Sequence, residues 1–352
     1  MKKVLSILLA LVLVLGLSAS AMAEGITYAL VTDVGNIDDQ SFNQGTWEGL
    51  VAYATEKGLT EGTDYAYYRP SEDSDDARVE TIKSAISNGA KVVVLPGFLF
   101  DAAVVTTATE YPEVMFLGVD LSGSDLLPNI VNIQFAEEIS GYLAGYAAVK
   151  DGYTKLGFLG GIDVPSVIRY GFGFVQGADA AAKELGITVD MKYWYSAAFW
   201  PTDEIKGKMD SWYADGTEIV FSCGGGIFTS CLAAAEVGNG KVIGVDVDQA
   251  HISDLFVTSA YKNLTQGTSY LLKQLEANGG KWDASIAGSN VLLGVNENAV
   301  GIPTAEGSWR FNKFTVEEYN TIYEAIKAGT VTVSNDIENQ PTVTNVTVDY
   351  QN

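Results

Sequence analysis

The chain has 352 residues, with 21 Lys and Arg against 44 Asp and Glu, a formal charge of −23, one His and two Cys. So acidic a protein is repelled by a phosphate backbone and by anionic lipid, which sets aside nucleic acid and membrane surfaces as partners. A single His without a dense Cys pattern leaves zinc sites and Ser-His-Asp or Cys-His catalysis without their groups, while 47% hydrophobic and 18% charged residues are globular proportions, enough for two cores.

The first residues read as an export signal. Lys2 and Lys3 precede an apolar run from Val4 to Leu17, and Ala21-Met22-Ala23 supplies a small-x-small cleavage site, so residues 1–23 are expected to be removed. The run is shorter than the roughly 18 to 20 apolar residues that a membrane span needs. No Cys lies near the cut, so no lipid tether through the new N-terminus is expected. The mature chain is expected to be a soluble monomer in the periplasm or outside the cell.

Beyond the signal, β-rich runs alternate with helical stretches, the pattern of parallel sheets covered by helices. Strands are predicted at Thr27 to Val31, Tyr65 to Tyr68, Val92 to Leu95, Val114 to Gly118 and Ile130 to Ile133, with helices near Gln44 to Lys57, Asp75 to Asn88 and Phe100 to Glu110. A second series follows at Lys155 to Leu159, Val189 to Tyr195, Glu218 to Phe221, Lys241 to Val245 and Phe256 to Ser259. Its helices fall near Arg169 to Leu185, Thr202 to Asp215 and Thr229 to Gly238. Two doubly wound βα lobes are therefore expected, one from residues 24–134 plus 262–298 and the other from 135–261 plus 299–352. Three short hinge crossings would join them, near Gln134 to Glu138, Ala260 to Leu264 and Glu297 to Pro303.

Ligands of open α/β sheets bind at the carboxyl ends of strands, which selects the candidate residues. The first strand ends at Asp33 and runs into Val34-Gly35-Asn36-Ile37-Asp38-Asp39-Gln40-Ser41-Phe42-Asn43-Gln44, an acidic turn with an aromatic at a helix start. It lacks the G-x-G-x-x-G spacing of a dinucleotide loop, and its carboxylates would repel a pyrophosphate. The alternative reading is a capped turn, with Asp38 or Asp39 serving the helix and Phe42 packing as a staple.

Asp120 follows Gly118-Val119 and Asp246 follows Gly244-Val245, equivalent strand-end positions of the two lobes. Such carboxylates can each accept two hydrogen bonds from a vicinal diol, as in ribose. They could also serve as a general acid and base, or simply as turn residues. Phe199 and Trp200 lie in a strand-to-helix loop, with core packing the alternative for one of them. Gly224-Gly225-Gly226 lets backbone approach a ligand and could donate amides to a hydroxyl. Lys262 is a lone cation in an acidic lining, read as a donor to ribose oxygens, as neutralising Asp246, or as a solvated lysine. Cys223 and Cys231 could form one bridge in an exported chain or be two buried thiols. His251 is given no role.

The string from Thr32 to Gln44, the segment Arg169 to Gly177, the glycine triplet, Val242 to Gln249 and Thr258 to Asn263 together resemble the basic membrane protein family of ABC-transporter substrate-binding proteins, which includes purine nucleoside receptors of the PnrA type. The resemblance implies a type I periplasmic-binding-protein fold whose cleft holds a nucleoside, with ABC permease and ATPase components as partners and no cofactor or metal. It puts Phe42 and Phe199 on the two faces of the base, with Trp200 competing for the second place. Asp33 and Asn43 would read the base, and Asp120, Gly226, Asp246 and Lys262 would hold ribose. A sensory ligand-binding protein, docking to a chemoreceptor or kinase, would have the same cleft. A nucleoside-cleaving enzyme using Asp120 and Asp246 is disfavoured by the lack of groups to activate water.

Overall fold

The computed structural model describes residues 26–123 and 126–351. The signal peptide read over residues 1–23 thus lies outside the described residues. In chain order the first stretch is β1 (Tyr28–Val31), α1 (Phe42–Lys57), β2 (Tyr65–Tyr68), α2 (Asp75–Ser87), β3 (Val92–Pro96), α3 (Asp101–Glu110), β4 (Met115–Val119) and β5 (Ile130–Phe135). The second is α4 (Glu137–Asp151), β6 (Lys155–Gly160), α5 (Pro165–Leu185), β7 (Val189–Tyr195), α6 (Asp203–Ala214), β8 (Ile219–Cys223), α7 (Phe228–Gly238), β9 (Lys241–Asp246) and β10 (Phe256–Lys262). Then come α8 (Leu264–Ala277), β11 (Ser289–Leu293), β12 (Val300–Gly301), α9 (Val316–Lys327) and β13 (Val346–Tyr350).

These strands form two sheets among the described residues, ordered β11-β5-β4-β3-β1-β2 and β12-β10-β9-β8-β6-β7-β13. All pairings are parallel except that of β10 with β12. The central strand β3, Val92-Val93-Val94-Leu95-Pro96, is buried on both faces, as a continuous branched run in a parallel sheet should be. Alternate residues serve opposite layers. Leu30, Val94 and Leu117 pack toward Trp47 and Leu50 of α1, while Val31, Val93 and Phe116 pack toward Ile82 of α2 and Val104 of α3. In the second sheet Phe158 and Phe221 meet Phe174 of α5, and Val220 and Val242 meet Met209 and Trp212 of α6. Each sheet is thus covered on both faces. Local signals agree with packing: Ser74 accepts from the Ala77 N–H to cap α2, and Thr202 from Ile205 to cap α6.

The chain passes between the sheets after β5, after β10 and between β11 and β12. These three segments are bonded to one another. The Ala136 N–H donates to Leu293 O (3.0 Å) and the Asn263 N–H to Ala299 O (2.7 Å). Ser140, buried in α4, donates to Tyr261 O (2.7 Å) and accepts from the Gly301 N–H (2.8 Å). One predicted boundary needs correcting. The strand read as ending at Ser259 continues through Lys262, which belongs to the second sheet because Tyr261 and Lys262 still pair with β12. Strands β11, β12 and β13 and helix α9 were not predicted. Among the described residues, no helix is long and apolar enough to cross a membrane.

Candidate ligand-binding cleft

A cavity of about 190 Å³ opens where the carboxyl ends of both sheets face each other. Asp33, Phe42, Asn43 and Asp120 line it from the first sheet's side. Phe199, Trp200, Gly226, Asp246 and Lys262 line it from the second. The strand-end logic therefore gathers all nine candidates around one space.

Asp120 and Asp246 occupy equivalent positions in a literal sense. Both sit in the left-handed region, with φ of 57° and 66°, where a short polar side chain is among the few that fit. The backbone turn swings each carboxylate off its strand end and into the cleft. Lys262 reaches both: its ammonium donates to Asp120 Oδ2 and lies 3.6 Å from Asp246 Oδ1. Asp246 Oδ2 also accepts from the Ser41 hydroxyl across the cleft (2.6 Å). Behind them stands Glu137, fully buried at the start of α4, 3.4 Å from Lys262 and accepting from Arg169 Nε (2.6 Å). The reading of Lys262 as a solvated lysine is thus corrected, since extension of β10 carries it inside, where it is 3% exposed.

Burial opposes the charge on Lys262, Glu137 and Asp246, and the partners decide the outcome. For Lys262, burial pulls the ammonium down, but Asp120, Asp246 and Glu137 outweigh it and hold the pKa above its ordinary value. For Glu137, burial and then the Asp120 charge push the carboxyl up to about 8. Burial likewise raises Asp246.

At the turn after β1, Asp33 Oδ1 accepts from the Gly35 N–H (2.7 Å) and from Asn43 Nδ2 (2.8 Å). The same amide nitrogen donates to Asp39 Oδ2 (2.9 Å), so both Asn43 hydrogens are engaged within the protein. Asn43 holds the two carboxylates in place. Asp39 is the helix cap, accepting from the N–H groups of Ser41, Asn43 and Gln44, whereas Asp38 is exposed and holds Asn36. Burial pushes Asp33 up to about 6.

Phe42 is half-buried, with the Lys262 ammonium over its ring at 4.6 Å from the centroid. Phe199 lies against Gly161 and Gly224, where any side chain would press into its ring. Trp200 lines the cavity too but is 46% exposed. The Gly226 N–H donates to Phe199 O (2.8 Å), which fixes the loop and corrects the expectation of a free amide for a ligand hydroxyl there.

Of the two readings of the cysteines, the structure has the buried thiols and not the bridge. Cys223 and Cys231 are both free and buried, Cys223 against the cavity and Cys231 in α7 beside the Tyr213 hydroxyl (3.6 Å). Burial drives both thiols up, so they are protonated and inert. His251 is exposed outside the cleft. Sequence reasoning missed Glu137, Arg169 and Tyr170. The last two stood in a segment singled out for resemblance, but their role depends on how α4 and α5 pack.

Residues 26–338 match the family model described as Bmp, ABC transporter substrate-binding protein PnrA-like. The chain belongs to this family. It is 33% identical over 235 residues to the ABC transporter nucleoside-binding protein BmpA of Lactococcus lactis, a match spanning 64% of this chain and 64% of that protein, a little under two thirds of its length. It is 26% identical over 299 residues to basic membrane protein B of Borrelia garinii, covering 83% and 84% of the two chains. Among solved structures, an ABC transporter solute-binding protein from Aeropyrum pernix superposes with a TM-score of 0.70 at 21% identity, covering 89% and 88%. That likeness shows the fold, which is the type I periplasmic-binding-protein fold that the family resemblance implied.

Proposed function

We propose that this Bmp-family protein is an exported, extracytoplasmic receptor that closes its two lobes on a ribonucleoside and passes it to an ABC permease and its ATPase. The observation that carries the reading is one cavity combining an aromatic ring from each lobe, Phe42 and Phe199, with the buried Asp120–Lys262–Asp246 cluster. A planar base suits the rings, and a diol suits carboxylates paired to a lysine, which can accept from hydroxyls while the ammonium donates to them. The base would use the face of Phe42 away from Lys262. Asp33, kept in position by Asn43, would meet the base edge. The lobes would move as residues 26–134 with 263–298 against 135–262 with 299–351, Lys262 going with the second because it pairs with β12.

The same cluster argues against chemistry on the nucleoside. A hydrolase needs a carboxylate poised to activate water, and here Lys262 is paired with both strand-end aspartates, donating to Asp120 Oδ2 and lying 3.6 Å from Asp246 Oδ1. The lone histidine is outside the cleft, and both thiols are protonated. Incubation with a bound nucleoside, with and without phosphate, is expected to return it intact by chromatography. Free base in excess of the protein would contradict the receptor reading.

A further inference from the structure

Two cavity-lining residues each carry a buried polar atom with no hydrogen-bond partner among the described residues: the Tyr170 hydroxyl and Asp120 Oδ1. Tyr170 rises from α5, 1% exposed, its ring edge-on to Phe221 at 5.8 Å between centroids and 5.5 Å from the Lys262 ammonium. Burial and then the neighbouring Asp246 charge hold its phenol well above the ordinary range, so it keeps its proton. These two residues therefore hold one unused donor and one unused acceptor just behind the cavity surface, within reach of a ligand only if the wall shifts on closure. Leaving such groups unpaired is costly, and a ligand hydroxyl can serve both kinds of need, accepting through its oxygen and donating through its hydrogen. A deoxy position can do neither.

We propose that Tyr170 is a specificity-determining residue of the cleft: its O–H donates to a sugar hydroxyl oxygen of the ligand, while Asp120 Oδ1 takes a hydroxyl hydrogen of the same sugar. The inference rests on the nucleoside reading and adds to it a donor from a helix that the strand-end rule does not select. Its consequence is discrimination, because a site built around a hydroxyl rejects the analogue lacking it.

The test is Tyr170→Phe, which keeps the packed ring and removes only the hydroxyl. Titration calorimetry would use guanosine and its 2′-, 3′- and 5′-deoxy counterparts, alongside the melting temperature of the ligand-free protein. Affinity for the ribonucleoside is expected to fall about 5- to 30-fold. The loss should vanish for the one deoxy analogue that lacks the hydroxyl Tyr170 contacts. The ligand-free melting temperature should stay level or rise, since an unpaired buried hydroxyl has been removed. Unchanged affinity, an equal loss across the whole series, or a melting temperature several degrees lower would overturn the proposal, the last because it would make the hydroxyl a structural bond. Failure of the nucleoside reading is visible separately in the wild type, which would then bind ribose alone. In that case the variant is compared on ribose and its deoxy forms, with the same expectation.

Discussion

Asp33 is where burial and charge conflict most simply. Its folded pKa lies near 6 against an ordinary 3.8, so the folded state keeps a proton that the unfolded chain releases. Below pH 3.8 both states are protonated and there is no penalty. Between 3.8 and about 6 stability falls as pH rises, and above that the cost levels off at about 3 kcal/mol. Asp33→Asn removes this term, so its melting temperature relative to wild type should climb from pH 4 to about 6.5 and then plateau; a difference independent of pH would show that Asp33 ionises normally. Phe42 makes a different prediction. Stacking on one ring contributes about 1 to 3 kcal/mol, so Phe42→Ala should weaken nucleoside binding about 5- to 150-fold while leaving the half-buried position's fold nearly intact. A core phenylalanine would instead lose about 3 to 5 kcal/mol of stability, readable by denaturant titration. At this scale the sequence revealed strand-end residues such as Asp120 and Asp246, because a Gly-Val-Asp ending announces itself. It did not reveal that Lys262 is buried or that Glu137 supports it, since those facts depend on β10 running three residues further and on a helix arriving from the hinge.

The pairing of α4 with α5 is the element that brings Glu137, Arg169 and Tyr170 to the cleft. It is built from four glycines at four-residue spacing, Gly141 and Gly145 on α4 and Gly173 and Gly177 on α5. A Cβ on any of them would overlap backbone carbonyls of the facing helix: Tyr170 and Phe174 for the first pair, Glu138 and Tyr142 for the second. The interface is reciprocal and backbone cannot give way as a flexible side chain would. Gly177→Ala thus sets a helix-propensity gain of about 1 kcal/mol against an overpacking cost of about 3 kcal/mol or more, and the clash should win. Thermal unfolding should show a clear loss; a stabilised variant would mean that the helices can separate freely. Gly173 and Gly177 were read only as family resemblance, and Gly141 and Gly145 were not singled out, because a close helix contact needs both partners to be known. Helix α9 was legible in principle: Thr315 and Glu318 form a capping box ahead of an amphipathic run. β12 was not, being two residues whose pairing exists only because β10 lies alongside.

At the scale of the molecule, the lobes meet through a few polar links: Ser41 to Asp246, Gln249 Nε2 to Gln40 O (2.9 Å), and Lys262 to Asp120. A bond between lobes favours the closed form for any occupant, whereas a bond to the ligand discriminates. Ser41→Ala should therefore reduce affinity by a similar factor for every nucleoside, and small-angle scattering should show a more open ligand-free population. Loss confined to one nucleoside would assign Ser41 to the ligand instead. The alternation of βα units made the two-lobed architecture readable from sequence, while the contacts that hold the lobes together lie far apart in the chain and carry no local signal. The nucleoside function stands on what the cleft holds. Titration calorimetry of the protein with purine ribonucleosides, the corresponding free bases and plain pentoses tests it most directly: saturable binding of the ribonucleosides, with bases and pentoses far weaker, is the predicted result, and pentoses binding as tightly as nucleosides would contradict it.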